Sequence, residues 1–287
     1  MAIAALSLNL ILGYTGQLSL AHGAFYGIGA YACGLLILKS GLCFWLAMPL
    51  AAALCSICGF LVGMPMLRIK GAYFAIASLC FGVIVTIVIS QWSDLTEGEK
   101  GLIGIPPPDP IPIPLIDQIS FKSLTSRYYL ILFFLVVTII IMNRIAQSLL
   151  GRKFMAIRDN EELAESIGIN TMRNKVLSFT IGAFFAGLAG ALYAGYFGFL
   201  SPGCSDYNTG FTFLISVIVG GAGTIAGPII GAFVMPVLME IMHALAEYRM
   251  LVYGLLLIVI IIFLPGGIVR GAQLLWFWAT TSMGRRV

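Results

Sequence analysis

The sequence predicts an all-α protein that crosses a membrane several times. Only 10% of its 287 residues are charged, 60% are hydrophobic, and the mean hydropathy is +1.02. Soluble domains carry roughly 25% charged residues, so this chain has too few charges to cover a water-exposed surface of its size. The composition excludes an ordinary cytosolic enzyme, a disordered chain and a small disulfide-stapled module. The net charge of +4 is small and scattered, so no nucleic-acid partner is expected.

Seven apolar runs have about the length needed to cross a bilayer core, which takes about 20 residues. They cover residues 24–38, 44–67, 72–92, 128–142, 176–200, 228–245 and 251–264. Two more runs, 3–12 and 211–219, are too short to span alone, and each leads into a glycine-rich stretch. We therefore expect one membrane domain over residues 1–287, with about eight to nine transmembrane or partly re-entrant helices.

The two glycine-rich stretches, residues 13–22 and 220–224, are the expected helix breaks, because irregular backbone at membrane depth must be buried or face water. A shift of 204 residues aligns three glycines with three others, Gly16, Gly23 and Gly27 with Gly220, Gly227 and Gly231. This is a weak internal repeat. Paired broken segments indicate a transport pathway, whereas close packing of helices on glycine explains the same residues equally well.

Six polar side chains at these breaks are candidates for lining the pathway. They are Tyr14, Thr15, Gln17, Ser19, His22 and Thr224.

Two polar loops set the predicted orientation. Residues 94–126 carry five acids against two lysines and a run of six prolines, which favours an extended path. Residues 144–175 carry six basic residues against four acids. The run 128–142 separates the loops, and the positive-inside rule places 144–175 in the cytoplasm and 94–126 outside. The carboxyl terminus is then cytoplasmic if the short run 211–219 counts as a crossing.

The six cysteines form no recognisable framework. Cys55 and Cys58 have CxxC spacing without a second pair, so neither redox chemistry nor a metal site is expected. Cys43 and Cys204 both fall near the predicted outer face, which leaves a disulfide between them open.

A short amphipathic helix is predicted in the cytoplasmic loop, at about residues 159–168. Asp159 followed by Glu162 has capping-box spacing, and Gly168 is placed to end the helix in the left-handed conformation. Leu163, Ala164 and Ile167 share one face. A helix of two turns is marginal by itself, so this face must dock, either on its own membrane domain or in a cleft of a cytoplasmic subunit.

The energy source is expected to lie outside the chain. No GxxxxGK[ST] phosphate loop occurs, so we expect no catalytic residue and no cofactor here, with ATP bound by partner subunits. An ion-coupled carrier would be expected to hold acids at mid-membrane, and the runs 44–67, 72–92 and 176–200 contain none. Glu240 and His243 share a helix face near the end of run 228–245, where a structural tether at the interface is expected.

Several sequence blocks resemble the permeases of branched-chain amino acid ABC importers, and among them the LivM type of the LivH/LivM family. These blocks are residues 13–25, 101–106, 156–161, 168–170, 184–193, 220–228 and 253–257, and they are spread over almost the whole chain. Family members usually carry another transmembrane helix before the position of Ile3, which is one departure.

The resemblance implies a membrane subunit that forms half of the pathway of an ATP-driven importer in a bacterial inner membrane. Its implied partners are a second, related permease, two cytoplasmic ATP-binding subunits, a solute-binding protein and the lipid bilayer. The resemblance also implies that residues 158–168 form the coupling helix that meets the ATP-binding subunit. The residues expected to carry this contact are Arg158, Asp159, Glu161, Ala164, Glu165 and Gly168.

The solute itself stays open at this stage. Leucine, isoleucine and valine are the family default, while related permeases carry urea, short amides or other neutral amino acids. An ion-coupled secondary carrier is the remaining alternative.

Overall fold

The computed structural model describes residues 1–113, 116–119, 121–241 and 267–269. The α-helices are α1 Ala2–Asn9, α2 His22–Leu38, α3 Phe44–Met66, α4 Ala72–Gln91, α5 Ser93–Thr96, α6 Leu124–Gln147, α7 Leu149–Asp159, α8 Glu161–Ser166, α9 Thr171–Phe197, α10 Tyr207–Gly220 and α11 Ala226–Ile241. The strands are β1 Leu102–Ile103, β2 Ile111–Ile113, β3 Ile116–Ile119 and β4 Phe199–Leu200. A π-helical turn, Leu10–Tyr14, extends α1.

The helices confirm the prediction of an all-α membrane protein. Four of them, α3, α4, α6 and α9, are long and apolar enough to cross a bilayer, and α1, α2, α10 and α11 are shorter apolar helices. Helix α6 extends beyond the predicted run at both ends and begins where the Ser123 hydroxyl accepts a hydrogen bond from the Thr125 N–H. The predicted run 251–264 and His243 lie outside the described residues.

Helix α9 forms the centre of the fold. Within its most apolar stretch 72% of the residues are buried, against 39% or less in α3, α4 and α6. Small residues allow the close contacts, since Gly190 lies against the Tyr26 carbonyl of α2 and Gly59 of α3 lies against Ala183. The other three long helices therefore turn much of their apolar surface outward, as lipid-facing helices do.

The segments aligned by the weak repeat each contain a helix, a break and a second helix. One consists of α1, the first break and α2, and the other of α10, the second break and α11. Helix α2 begins at His22, and α11 begins 204 residues later at Ala226. Gly220 and Gly227 touch each other between α10 and α11, and Gly23 touches the backbone of Gly210. The aligned glycines thus serve close packing, which was one of the two explanations the sequence left open.

The segment after α9 re-enters the membrane domain. After β4, which pairs antiparallel with β1, a 3₁₀ turn at Pro202–Ser205 lies against Gly27 of α2. The Thr86 hydroxyl of α4 donates to the Ser205 carbonyl at 2.9 Å. Helix α10 then has 14 residues, or about 21 Å, and includes the short apolar run 211–219.

The loop 94–126 is tied down by polar contacts. The Asp109 carboxylate accepts from the Phe44 N–H at 2.8 Å, where α3 begins, and Lys39 donates to the Asp94 carbonyl at 2.7 Å. Strands β2 and β3 form a hairpin in the proline-rich part. All six cysteines are free, with Cys43 exposed and Cys204 buried, so the disulfide left open by the sequence is not formed.

Candidate coupling helix and helix breaks

Helix α8 is shorter than the predicted helix of about residues 159–168, and its capping residue lies one position later than predicted. The Asn160 side chain caps it by accepting from the Leu163 N–H at 3.0 Å, and the backbone of Asn160 is extended. The prediction of Asp159 as the cap is wrong, because α7 keeps helical geometry through Arg158 and Asp159. The chain leaves the helix only at Asn160, whose amide oxygen then replaces the predicted carboxylate.

The end of α8 is confirmed. Gly168 adopts a φ of +84°, a conformation that glycine accepts without steric conflict. The Gly168 N–H donates to the Glu165 carbonyl at 2.9 Å, and the Ile169 N–H donates to the Ala164 carbonyl at 3.0 Å. This pair of bonds is a Schellman motif, and it turns the chain toward α9.

The inner side of α8 is anchored on α9. Ala164 is buried against the domain. The Glu161 carboxylate lies 2.7 Å from Nζ of Lys175, a side chain only 3% exposed. The Thr171 hydroxyl donates to the Glu165 carboxylate at 2.6 Å. Both carboxylates therefore bind α9 within the chain, although the sequence suggested that they reach basic groups on a partner.

The outer side of α8 is apolar and uncovered. Leu163, in α8, is 63% exposed, and Ile167, the residue that directly follows α8, is 69% exposed. The predicted shared face is therefore divided, because Ala164 turns inward while the two larger side chains turn outward. Both larger side chains therefore project away from the domain while Ala164 packs against it.

Arg158 connects α7 with both breaks. Its guanidinium donates to the Gly13 carbonyl at 2.6 Å and pairs with Asp159 at 3.3 Å. Gly16, at a φ of +74°, lies beside the Arg158 side chain, and a Cβ added at Gly223 would lie 2.8 Å from the same guanidinium. Arg158 of α7 therefore contacts both breaks.

Asn9 joins α1 to the second break inside the domain. Its amide donates to the Thr224 carbonyl at 2.7 Å and accepts from the Gly223 N–H at 2.8 Å. The side chain is 2% exposed. Sequence reasoning missed Asn9, although an amide within an apolar run is a signal for a bond between helices.

The six pathway candidates lie at or between these breaks. Tyr14, Thr15, Ser19 and His22 are buried, while Gln17 and Thr224 are half-buried. The Thr15 hydroxyl donates to the Leu10 carbonyl at 3.0 Å. The Thr224 hydroxyl donates to the Gly221 carbonyl at 2.9 Å and accepts from the Gly227 N–H at 3.0 Å. These bonds stabilise the breaks, and contact with a solute stays a prediction.

His22 makes a second internal link. Its Nε2 lies 2.8 Å from the Ser7 hydroxyl of α1. Because that hydroxyl donates to the Ala4 carbonyl, we assign the proton to Nε2 of the imidazole. Nδ1 then has no hydrogen-bond partner among the described residues.

Comparison with known proteins gives one consistent family. A profile described as "Branched-chain amino acid transport system / permease component" matches residues 1–261. The high-affinity branched-chain amino acid transport system permease protein LivM of Salmonella typhimurium is 34% identical, over 93% of this chain and 67% of that protein. LivM of Escherichia coli K12 is likewise 34% identical, over 93% of this chain and 67% of that protein. LivH of Escherichia coli K12 is 24% identical, over 93% of this chain and 90% of LivH. No solved structure matches.

Proposed function

The chain belongs to the branched-chain amino acid transport permease family, and on that premise we propose that it forms one half of the membrane pathway of an ATP-driven amino-acid importer. It is a transport component and not an enzyme. The observation that supports the proposal is α8, a short helix anchored on α9, with Leu163 and the following Ile167 exposed.

The proposed assembly contains a second, related permease, two ATP-binding subunits and a soluble solute-binding protein. Relatives named LivM and LivH both align with 93% of this chain, which supports a pair of similar permeases. Energy must come from the ATP-binding subunits, because this sequence has no phosphate loop. The solute is leucine, isoleucine or valine, following the names of the relatives.

The proposed orientation places α7 and α8 in the cytoplasm of a bacterial inner membrane. The basic excess of residues 144–175 supports this placement. Helices α10 and α11 and the predicted run 251–264 then make three crossings after Asn208, which leaves the carboxyl terminus in the cytoplasm.

The coupling step follows from the contacts of α8. An ATP-binding subunit that closes around Leu163 and Ile167 moves α8. The Glu161–Lys175 pair transmits this movement to α9, and the adjoining helix α7 transmits it through Arg158 to the breaks. Residues 158–168 therefore act as the coupling segment, with the apolar pair as its contact and the charged pair as its link to the membrane domain.

The docking face is tested by the double substitution Leu163→Asp with Ile167→Asp. We expect normal membrane levels, since both side chains point outward. Recovery of the ATP-binding subunits with the tagged chain, and ATP-driven leucine uptake, should fall by at least about tenfold, the effect of losing about 1.4 kcal/mol of binding.

Leu149→Asp is the matched control, because Leu149 is equally exposed but lies at the far end of α7. Its uptake should match the wild type. Full uptake by the Leu163/Ile167 variant would contradict the docking assignment.

A further inference from the structure

A groove of about 560 Å³ lies between the ends of α3 and α9 on the side that carries α8. Its walls include Phe60, Met64 and Arg68 from α3 and the residues just after it, and Arg173, Val176 and Leu177 from α9. None of these side chains takes part in anchoring α8 or in joining the breaks.

The groove results from how α3 and α9 approach each other. Gly59 and Gly63 of α3 allow contact with Ala183 and Phe179 of α9. Beside this seam, larger side chains keep the helix surfaces apart. Phe60, Met64 and Leu177 remain at least one-third exposed, so the groove has an apolar wall that opens toward the lipid.

The polar end of the groove carries an excess of positive charge. Among the described residues, the ion pairs are Arg158–Asp159 and Lys175–Glu161, so Arg68 and Arg173 pair with no acid there. The first turn of α9 holds no acidic residue, and a helix amino terminus is itself partly positive. Two exposed guanidinium groups therefore face one region, and neither forms an ion pair among the described residues.

We propose that this groove binds one anionic diacyl phospholipid of the cytoplasmic leaflet. The headgroup phosphate lies between Arg68 and Arg173, and an acyl chain lies along Phe60, Met64 and Leu177. Basic pockets between transmembrane helices on the cytoplasmic side recognise anionic headgroups in this way. Arginine is suited to the task because its planar guanidinium binds phosphate with two parallel hydrogen bonds.

The apolar wall distinguishes a lipid from a free anion. Inorganic phosphate would use only the two arginines, whereas a phospholipid also covers exposed Phe60 and Met64. The ATP-binding subunit is assigned to Leu163 and Ile167 of α8, so the groove needs a different occupant. A bound lipid would stabilise the contact of α3 with α9 at the end where α8 is anchored.

The test is titration of the purified importer with phosphatidylglycerol in detergent, with bound lipid measured by native mass spectrometry. The variant is Arg68→Gln with Arg173→Gln. We expect its apparent Kd to rise about thirtyfold, since each arginine near an anionic headgroup is worth about fivefold in affinity. The pair Arg68→Lys with Arg173→Lys should recover part of the affinity.

Arg144→Gln with Arg152→Gln is the matched control, because it removes the same charge from two exposed residues, in α6 and α7, that do not line the groove. Its Kd should equal that of the wild type. If the Gln pair fails to accumulate, Arg68→Gln alone serves, with an expected increase of about fivefold.

Three results would overturn the proposal. The first is an unchanged Kd in the Gln variant. The second is displacement of phosphatidylglycerol from the wild type by millimolar inorganic phosphate, which would make the groove an anion site. The third is loss of the ATP-binding subunits from the Gln variant, which would make it a protein interface.

Discussion

Replacing Glu161 with Gln should destabilise the protein and abolish most ATP-driven uptake, and replacing Lys175 with Met in the same chain should restore the stability. The Lys175 side chain is 3% exposed and lies 2.7 Å from Glu161. Removing one partner leaves a buried charge uncompensated, which costs about 3–5 kcal/mol in buried pairs. Because the Glu161 side chain is 25% exposed, we expect the lower end, about 3 kcal/mol.

The double substitution removes both charges, and a buried pair replaced by neutral groups of similar volume is often close to neutral in stability. Stability is measured as the Tm for aggregation of the detergent-purified chain. Uptake should stay low even in the double variant, since α8 is no longer fixed to α9 by an ion pair. A double variant with restored Tm but low uptake would separate the folding role of Glu161 and Lys175 from their coupling role.

Glu162→Gln is the control, because it removes one negative charge from an exposed position on the same helix. Its Tm should equal the wild-type value. A Glu161→Gln protein with unchanged Tm, or a double variant as unstable as the single one, would contradict the pairing.

Replacing Asn9 with Leu should have the second large effect. It leaves the Gly223 N–H and the Thr224 carbonyl without the partner they have in the structure. A buried polar group left unpaired costs about 1–3 kcal/mol. Because Gly223 and Thr224 are only half-buried, the expected loss is at the lower end, about 2 kcal/mol for the two bonds together. Uptake should fall with the stability, because Asn9 binds α1 to the second break.

Asn9→Asp should be intermediate in effect, since it keeps the acceptor for Gly223 but loses the donor to Thr224. Asn143→Leu is the matched control, because Asn143 bonds only to Gln147 one turn away in α6. Its expected change is within about 0.5 kcal/mol. Equal Tm values for Asn9→Leu and Asn143→Leu would rule out the role assigned to Asn9.

The membrane helices could be predicted from sequence because hydropathy acts locally. Each described apolar run coincides with a helix, and the ends differ by a few residues where a cap such as Ser123 sets the boundary. The left-handed turn at Gly168 was also predictable, because it depends on the backbone freedom of that one residue and not on a distant partner. Helix α7 was missed because residues 149–159 mix charged and apolar side chains without a long apolar run.

The links between distant segments could not be predicted. Asn9 and Thr224 are 215 residues apart, and Arg158 binds Gly13 across 145 residues. One sequence gives residue types, but it does not give the partners they meet after folding. For this reason Glu161 was expected to face a partner protein, whereas its counter-charge is Lys175 within the same chain.

The proposed role of this chain, as the membrane half of an ATP-driven importer, can be tested directly. The most direct measurement purifies the tagged chain with its associated subunits in mild detergent, reconstitutes the recovered assembly in vesicles, and follows uptake of labelled leucine with and without ATP. If the chain has this role, we expect recovery of phosphate-loop ATPases and leucine uptake that requires ATP. Recovery of the chain alone, with leucine transport that proceeds without ATP, would contradict it and indicate a secondary carrier.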